Sequence, residues 1–186
     1  MSRMMMFAAA IAAAVAGQSV VPAADTDPAT GYRTAHYRAI VPAAPEGVPR
    51  IDTATVARLL AKKHAILIDV MPAEGGVRDA ATGVWRLAKP RPSIAGAHWF
   101  PEAGRGVMDP GIATWFDTGV ASLRGKRDPR PLIVFCLADC WMGWNASRRL
   151  AKAGYGHVYW YADGTDGWSE SGRPLVDALP FQTRPY

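Results

Sequence analysis

The chain has 186 residues, of which 49% are hydrophobic and 20% are charged, and this composition is typical of one globular domain rather than of a disordered chain. Its formal net charge is +5, but the lysines and arginines are scattered without a basic stripe among the aromatic residues, so we expect no nucleic-acid partner. No segment approaches 18 consecutive apolar residues, and we expect no membrane-embedded part.

The first 24 residues have the pattern of a cleaved export signal. Arg3 supplies a positive charge, Met4 to Val15 form an apolar run, and small residues at 14–16 and 23–24 offer cleavage sites. The sequence therefore predicts a signal peptide over residues 1–24 and export to the periplasm. In that oxidising compartment, two cysteines that lie close together can form a disulfide.

The first half of the mature chain predicts an extended segment followed by short elements. Residues 25–49 are rich in proline and glycine and form an extended lead-in segment. Asp52 or Thr53 caps a short helix, and the apolar run 65–70 predicts a strand covered on both faces. A loop rich in glycine and proline over 72–92 precedes a short strand that ends near Pro101. Asp109 and Pro110 then open a second helix.

The second half predicts a further alternation of strands and helices. A strand over 132–135 is followed by a loop and a helix that ends at Gly154. A strand over 157–161 and a short helix near 167–170 follow. The alternation predicts an α/β fold, a single domain over residues 50–176 with a mainly parallel central sheet flanked by helices. Residues 177–186 are predicted to form a C-terminal tail.

Both cysteines of the chain lie in one loop between a predicted strand and a predicted helix. Cys136 directly follows the apolar run, so we predict that it is presented to solvent at the helix start, where unpaired N–H groups stabilise a thiolate. Such a thiolate attacks a sulfane sulfur or a disulfide, and the loop amides stabilise the developing anion. Cys140 is either a resolving thiol or the partner in a permanent structural disulfide.

The residues around the two cysteines complete the predicted site; they are Leu137, Ala138, Asp139, Trp141, Met142, Gly143, Trp144 and Asn145, with Asp69 from the end of the earlier strand. Trp141 and Trp144 either wall a ligand pocket or fill the core. Asn145 either orients the loop or lies on the polar side of the helix. No cofactor is expected, and a copper alternative uses Cys136, Cys140 and Met142 as soft sulfur ligands for Cu(I).

Four short stretches, in the correct order, resemble the rhodanese family; they are Leu67–Val70, Ile94–Ala97, Cys136 at a strand end, and Asp163–Trp168 with Gly172–Leu175. The resemblance implies a rhodanese-like domain in which Cys136 carries sulfur and Asp69 hydrogen-bonds the loop; the alternative for Asp69 is that it caps the end of its own strand. Two departures argue against efficient transfer from thiosulfate. Met71 stands where the family usually has Arg, and Asp139 repels an incoming dianion in a loop without Arg or Lys.

The run from Cys140 to Ala146 resembles a small exported subfamily, the PQQ-dependent catabolism-associated CXXCW motif proteins, although here three residues separate the cysteines. The resemblance implies an accessory protein of PQQ-dependent alcohol catabolism. Its partner would be a periplasmic quinoprotein dehydrogenase or its electron-transfer partner, and its substrate a small sulfur compound. The chain would then be a sulfurtransferase or a thiol–disulfide redox protein. The alternative is a non-catalytic module that delivers copper or docks on the quinoprotein through its tryptophans.

Overall fold

The computed structural model describes residues 25–182, and a five-stranded sheet lies at the centre of this part of the chain. The strands are β1 (Arg50–Ile51), β2 (Ile66–Asp69), β3 (Val77–Arg78), β4 (Trp85–Arg86), β5 (Arg91–Ser93), β6 (His98–Trp99), β7 (Leu132–Phe135), β8 (Val158–Tyr161) and β9 (Val176–Ala178). The helices are α1 (Thr53–Ala61), α2 (Pro110–Leu123), α3 (Trp141–Lys152) and α4 (Gly164–Glu170).

The central sheet has the order β1-β8-β7-β2-β6, and all of its neighbouring strands are parallel. Two antiparallel pairs, β3 with β4 and β5 with β9, lie outside it. Every residue of β2 and β7 is buried, which explains why their sequences are continuous apolar runs rather than alternating ones. The predicted α/β fold with a mainly parallel central sheet is confirmed.

Helices cover both faces of the sheet, as predicted. On one face, α2 and α3 pack against side chains such as Ile68 and Val134. On the other face, Val56 of α1 and Trp168 of α4 pack against Leu67 and neighbouring residues. Successive residues of a strand point to opposite faces, so each buried strand contributes to both halves of the core.

The helix ends follow the predicted signals. The side chain of Asp52 accepts a hydrogen bond from the N–H of Thr55 at 2.8 Å at the start of α1. Asp109 accepts one from Gly111 at 2.8 Å at the start of α2, directly before Pro110. After α3, Gly154 has φ +88°, the left-handed conformation that favours glycine just past a helix C-terminus.

The segments on either side of the sheet are held against it. The lead-in segment contains isolated bridges only, one of which joins Arg38 to Cys140. Beyond β9, the ring of Phe181 packs 4.8 Å from that of Phe100, so residues 176–181 are part of the packed structure. The predicted signal peptide lies outside the described residues. Among residues 25–182, no helix combines the length and the apolarity that crossing a membrane requires.

Candidate functional site

Cys136 and Cys140 are joined by a disulfide that connects the middle strand of the sheet to a helix. Cys136 is the first residue after β7, and Cys140 is the N-cap residue of α3. Their Cα atoms are 6.2 Å apart, within the range usual for disulfides. The two cysteines thus meet at a strand end and a helix start, with their sulfurs at disulfide distance.

The sulfur of Cys136 is not open to solvent, so this part of the prediction is wrong. Cys136 is 1% exposed and Cys140 is 4% exposed. Below them, the Sδ atom of Met71 lies 3.6 Å from the Sγ atom of Cys136. On another side, Gly164 lies so close to the carbonyl group of Cys136 that a methyl group there would overlap it. The loop therefore encloses Cys136 within the core cluster.

A cleft of about 380 Å³ opens beside the disulfide, at the carboxyl ends of the strands, where ligands bind in open parallel sheets. Its lining comprises Ile40, Val41, Arg50, Thr53, Ala138, Asp139, Cys140, Trp160, Ala162, Asp163, Gly167 and Glu170. Cys140 lines this cleft and Cys136 does not. The disulfide therefore lies next to the cleft on its Cys140 side, although Cys140 itself is only 4% exposed.

The charged side chains of the cleft are three carboxylates and one guanidinium. The guanidinium belongs to Arg50, which forms an ion pair with Asp163 at 3.0 Å. The carboxylates of Asp139 and Glu170 have no such partner among the salt bridges of residues 25–182. The cleft is therefore acidic, and it disfavours the approach of anionic sulfur compounds.

Two amides of the loop are occupied by hydrogen bonds that point away from the sulfur. The N–H of Ala138 donates to the carboxylate of Asp166 at 3.2 Å, and the N–H of Trp141 donates to the carbonyl of Tyr37 at 3.0 Å. The predicted amide cradle is thus wrong for these two groups. Asp139 is exposed and has φ +50°, a conformation that aspartate adopts more readily than most residues. Leu137 is buried beside Cys136.

Asp69 does not bond the cysteine loop directly, contrary to what the resemblance implied. Its carboxylate is fully buried and accepts hydrogen bonds from Arg91 at 3.0 Å, Ser93 at 2.6 Å and the N–H of Met71 at 2.9 Å. Arg91 also reaches Thr165 at 3.4 Å, whose N–H donates to the carbonyl of Cys136. Asp69 thus supports the loop through intermediaries. The sequence does not predict Arg91 as a site residue, because Arg91 lies in the segment 72–92 that is predicted to form a loop.

The residues of the motif after Cys140 hold the lead-in segment rather than a ligand. The indole N–H of Trp141 donates to the carbonyl of His36, and that of Trp144 donates to the carbonyl of Ala43 at 2.9 Å. Neither tryptophan lines the cleft. Asn145 is fully buried and bonds the backbone N–H and carbonyl of Arg33 at 3.0 and 2.9 Å, so it does not orient the loop.

Gly143 and Met142 occupy the first turn of α3. A Cβ atom at Gly143 would lie 3.2 Å from backbone atoms of Phe135, so a glycine lets the helix approach β7 closely. Met142 is fully buried and packs against Gly104. The thioether that the structure places against Cys136 is that of Met71. In residues 25–182, no group of three or more His, Cys, Asp or Glu residues could hold a metal ion.

Replacing Asn145 with alanine is expected to lower the free energy of unfolding by about 2–4 kcal/mol, because the backbone groups of Arg33 and Gly104 lose their partners. Chemical denaturation of the oxidised protein measures this change. Replacing the exposed Asp117 of α2 with alanine is the control. A loss for N145A that is no greater than that for D117A would show that Asn145 does not anchor the lead-in segment.

No family model matches the chain, and no curated protein does either. Similar solved structures include rhodanese-like domains and sulfurtransferases. The human single-domain sulfurtransferase TSTD1 is 25% identical, with 67% of this chain and 97% of that chain covered and a TM-score of 0.40.

Two further solved structures have a similar degree of likeness. The rhodanese-like domain of a protein from Anabaena sp. is 20% identical, with 74% of this chain and 89% of that chain covered and a TM-score of 0.46. The thiosulfate sulfurtransferase from Pseudomonas aeruginosa is 23% identical, with 72% of this chain and 21% of that chain covered and a TM-score of 0.47. All three TM-scores are below 0.5, so the likeness alone assigns the chain to no family.

Proposed function

We propose that this protein is a rhodanese-like thiol protein whose Cys136–Cys140 pair cycles between a disulfide and a dithiol by exchange with a small sulfur compound. The observation that carries the proposal is the position of the disulfide. It joins the end of the middle strand to the start of a helix, and one of its sulfurs belongs to a residue that lines a cleft. A purely structural disulfide gains nothing from such access.

In this proposal the exchange begins at Cys140, the cysteine that lines the cleft. A thiolate that enters the cleft attacks Sγ of Cys140, the bond between the two cysteines breaks, and Cys136 leaves as a thiolate that takes up a proton. The enzyme-bound mixed disulfide is then attacked by a second thiol. Two thiols lose two electrons and become a disulfide, and the protein becomes a dithiol. In reverse, the dithiol reduces an incoming disulfide.

The charge of the cleft limits the class of sulfur compound. Asp139 and Glu170 repel thiosulfate, which is a dianion, more strongly than the singly charged thiolate of an uncharged thiol, and they attract the ammonium group of an amino thiol. The absence of Arg and Lys at 137–139 acts in the same direction. We therefore propose thiol–disulfide exchange as the activity, ahead of the transfer of sulfur from thiosulfate through a Cys136 persulfide.

The setting of this activity is part of the proposal. The signal-like residues 1–24 support export to the periplasm, and the run from Cys140 to Ala146 supports an accessory role in PQQ-dependent alcohol catabolism. A quinoprotein dehydrogenase or its electron-transfer partner would then be the protein partner. Isolation of the protein from the periplasm, with the mass of its mature chain and the state of its thiols, tests the export and the redox state together.

The order of attack is tested with two single-cysteine variants. In Cys136→Ser the remaining thiol is Cys140, which lines the cleft, and in Cys140→Ser it is the enclosed Cys136. A neutral thiol-reactive reagent is expected to label Cys140 at least fivefold faster than Cys136 in the native proteins. Labelling in denaturant is the control, since both thiols are then equally accessible. Faster labelling of Cys136 would restore it as the attacking residue.

Reversibility itself is tested on the wild-type protein. Equilibration with thiol buffers of known potential, followed by quantification of free thiols, gives the reduction potential of the pair. A value above about −300 mV is expected for a pair that exchanges, whereas structural disulfides typically lie below it. A lower value, or reduction that occurs only after unfolding, would make the disulfide structural and refute the proposed activity.

A further inference from the structure

We propose that the reduced protein binds one Cu⁺ ion through three sulfur atoms, those of Cys136, Cys140 and Met71. The observation behind this proposal is the thioether of Met71, which lies 3.6 Å from Sγ of Cys136, while Cys136 is itself bonded to Cys140. The sulfur atoms of Met71, Cys136 and Cys140 therefore lie close together beneath the loop. The proposal shares with the proposed function only the requirement that the disulfide can be reduced.

The spacing of the sulfurs fits a three-coordinate ion. With metal–sulfur bonds of about 2.3 Å, as zinc makes, sulfurs at the corners of a trigonal site lie roughly 4 Å apart. The contact of 3.6 Å between Met71 and Cys136 is close to this separation. When the disulfide is opened, the sulfur of Cys140 can move away from that of Cys136 into the third corner without a change in the backbone of the sheet.

The position of Met71 is fixed by its backbone. Its N–H donates to the buried carboxylate of Asp69 at 2.9 Å, and its carbonyl accepts a hydrogen bond from the indole of Trp99 at 2.7 Å. Both partners are themselves buried. A methionine side chain normally has several accessible conformations; here the backbone is held in place and the buried side chain puts its thioether 3.6 Å from Sγ of Cys136.

The chemistry of the donors selects copper in its lower oxidation state. Thiolates and a thioether are soft ligands that favour Cu⁺, whereas zinc requires four ligands, usually from cysteine, histidine and carboxylates. Two buried thiolates without a cation would repel each other in a low-dielectric site. A bound Cu⁺ compensates one of the two charges. The ion enters from the cleft, because Cys140 lies in its wall.

Reduction of the disulfide opens the site to the metal ion. A dithiol reductant, or a phosphine with water, supplies two electrons and two protons, and the disulfide becomes two thiols. The dithiol becomes a disulfide, or the phosphine becomes a phosphine oxide. Cu⁺ then binds both sulfurs and the thioether and displaces the two thiol protons to solvent. The copper ion keeps its oxidation state throughout.

The full-length protein, reduced with a phosphine under anaerobic conditions, is titrated with Cu⁺ against a chromogenic Cu⁺ chelator. One ion per chain is expected, and X-ray absorption of the complex is expected to show three sulfur neighbours. Met71→Leu, which nearly conserves volume, is expected to weaken the affinity at least tenfold and to reduce the sulfur count to two. Met108→Leu is the matched control and is expected to leave both values unchanged.

The same experiment separates this site from the alternative that the sequence offered. If Met142→Leu weakens the affinity and Met71→Leu does not, the third ligand is Met142 and the proposal is wrong. Equal affinity in all three variants, or a count of two sulfurs in the wild type, would also overturn it. Thiol counting before the titration shows whether the disulfide was reduced. If the reduced protein does not bind Cu⁺, only the copper site is refuted. If thiols do not reduce the disulfide, the proposed function is refuted.

Discussion

Replacing Asp69 with alanine is expected to lower the free energy of unfolding by about 3–5 kcal/mol, because it leaves a buried guanidinium without its carboxylate. Asp69 has no exposed surface, and Arg91, at 3.0 Å, is itself buried. The same change removes the acceptors of Ser93 and of the N–H of Met71. Denaturant unfolding of the oxidised protein, followed by tryptophan fluorescence, measures the loss.

A double variant distinguishes the unpaired charge from lost packing. In D69A/R91M no buried charge is left, so much of the lost stability is expected to return. The exposed pair of Lys89 and Glu74, 2.9 Å apart, is the matched control, and K89A is expected to change stability little because exposed ion pairs contribute little. A loss for D69A that is no greater than that for K89A would show that the buried network does not support the fold.

Replacing Asp139 with asparagine is expected to lower, by about tenfold at low salt, the preference of the disulfide for reduction by a cationic thiol over reduction by a dianionic thiol. A unit charge about 8 Å away in water contributes roughly 0.5 kcal/mol for each charge of the reagent. A cationic thiol and a dianionic thiol therefore differ by roughly 1.5 kcal/mol in their interaction with Asp139. Asparagine removes the charge and tolerates the φ of +50° at this position. The ratio of the reduction rates with the two reagents measures the effect.

Salt provides the first check, because the preference should shrink at 1 M ionic strength, where the Debye length is about 3 Å. Asp177→Asn is the control. Asp177 is an exposed carboxylate on β9, and it does not line the cleft. If D139N and D177N give the same ratio of rates as the wild type, the cleft is not the route by which thiols reach the disulfide.

Much of the fold could be predicted because its signals are local. The apolar runs that become β2, β7 and β8 are continuous since both of their faces are covered. Asp52 and Asp109 cap the helices that follow them, and chemistry within four residues is enough to identify such caps. The adjacency of Cys136 and Cys140 follows from their positions in one loop.

The surroundings of the disulfide could not be predicted, because they come from distant parts of the chain. Met71 reaches Cys136 because β2 and β7 are parallel neighbours with Asp69 opposite Phe135, and no local pattern gives that register. The enclosure of Cys136 depends on Gly164, which follows β8. A buried Asp69 requires a cationic partner, and Arg91 is that partner. A single sequence does not show which of its many arginines is buried, so Arg91 could not be selected from it.

The lead-in segment contributes Ile40 and Val41 to the wall of the cleft, and they are held there by residues of α3 that directly follow Cys140. This part of the cleft wall comes from chain that contributes no strand to the central sheet, whereas Arg50 and Trp160 of the same wall belong to β1 and β8. The width and polarity of the cleft entrance can be altered by replacing exposed residues such as Ile40, while the buried core is left unchanged. Exposed positions of the cleft wall can therefore differ in sequence with little effect on the stability of the sheet beneath them.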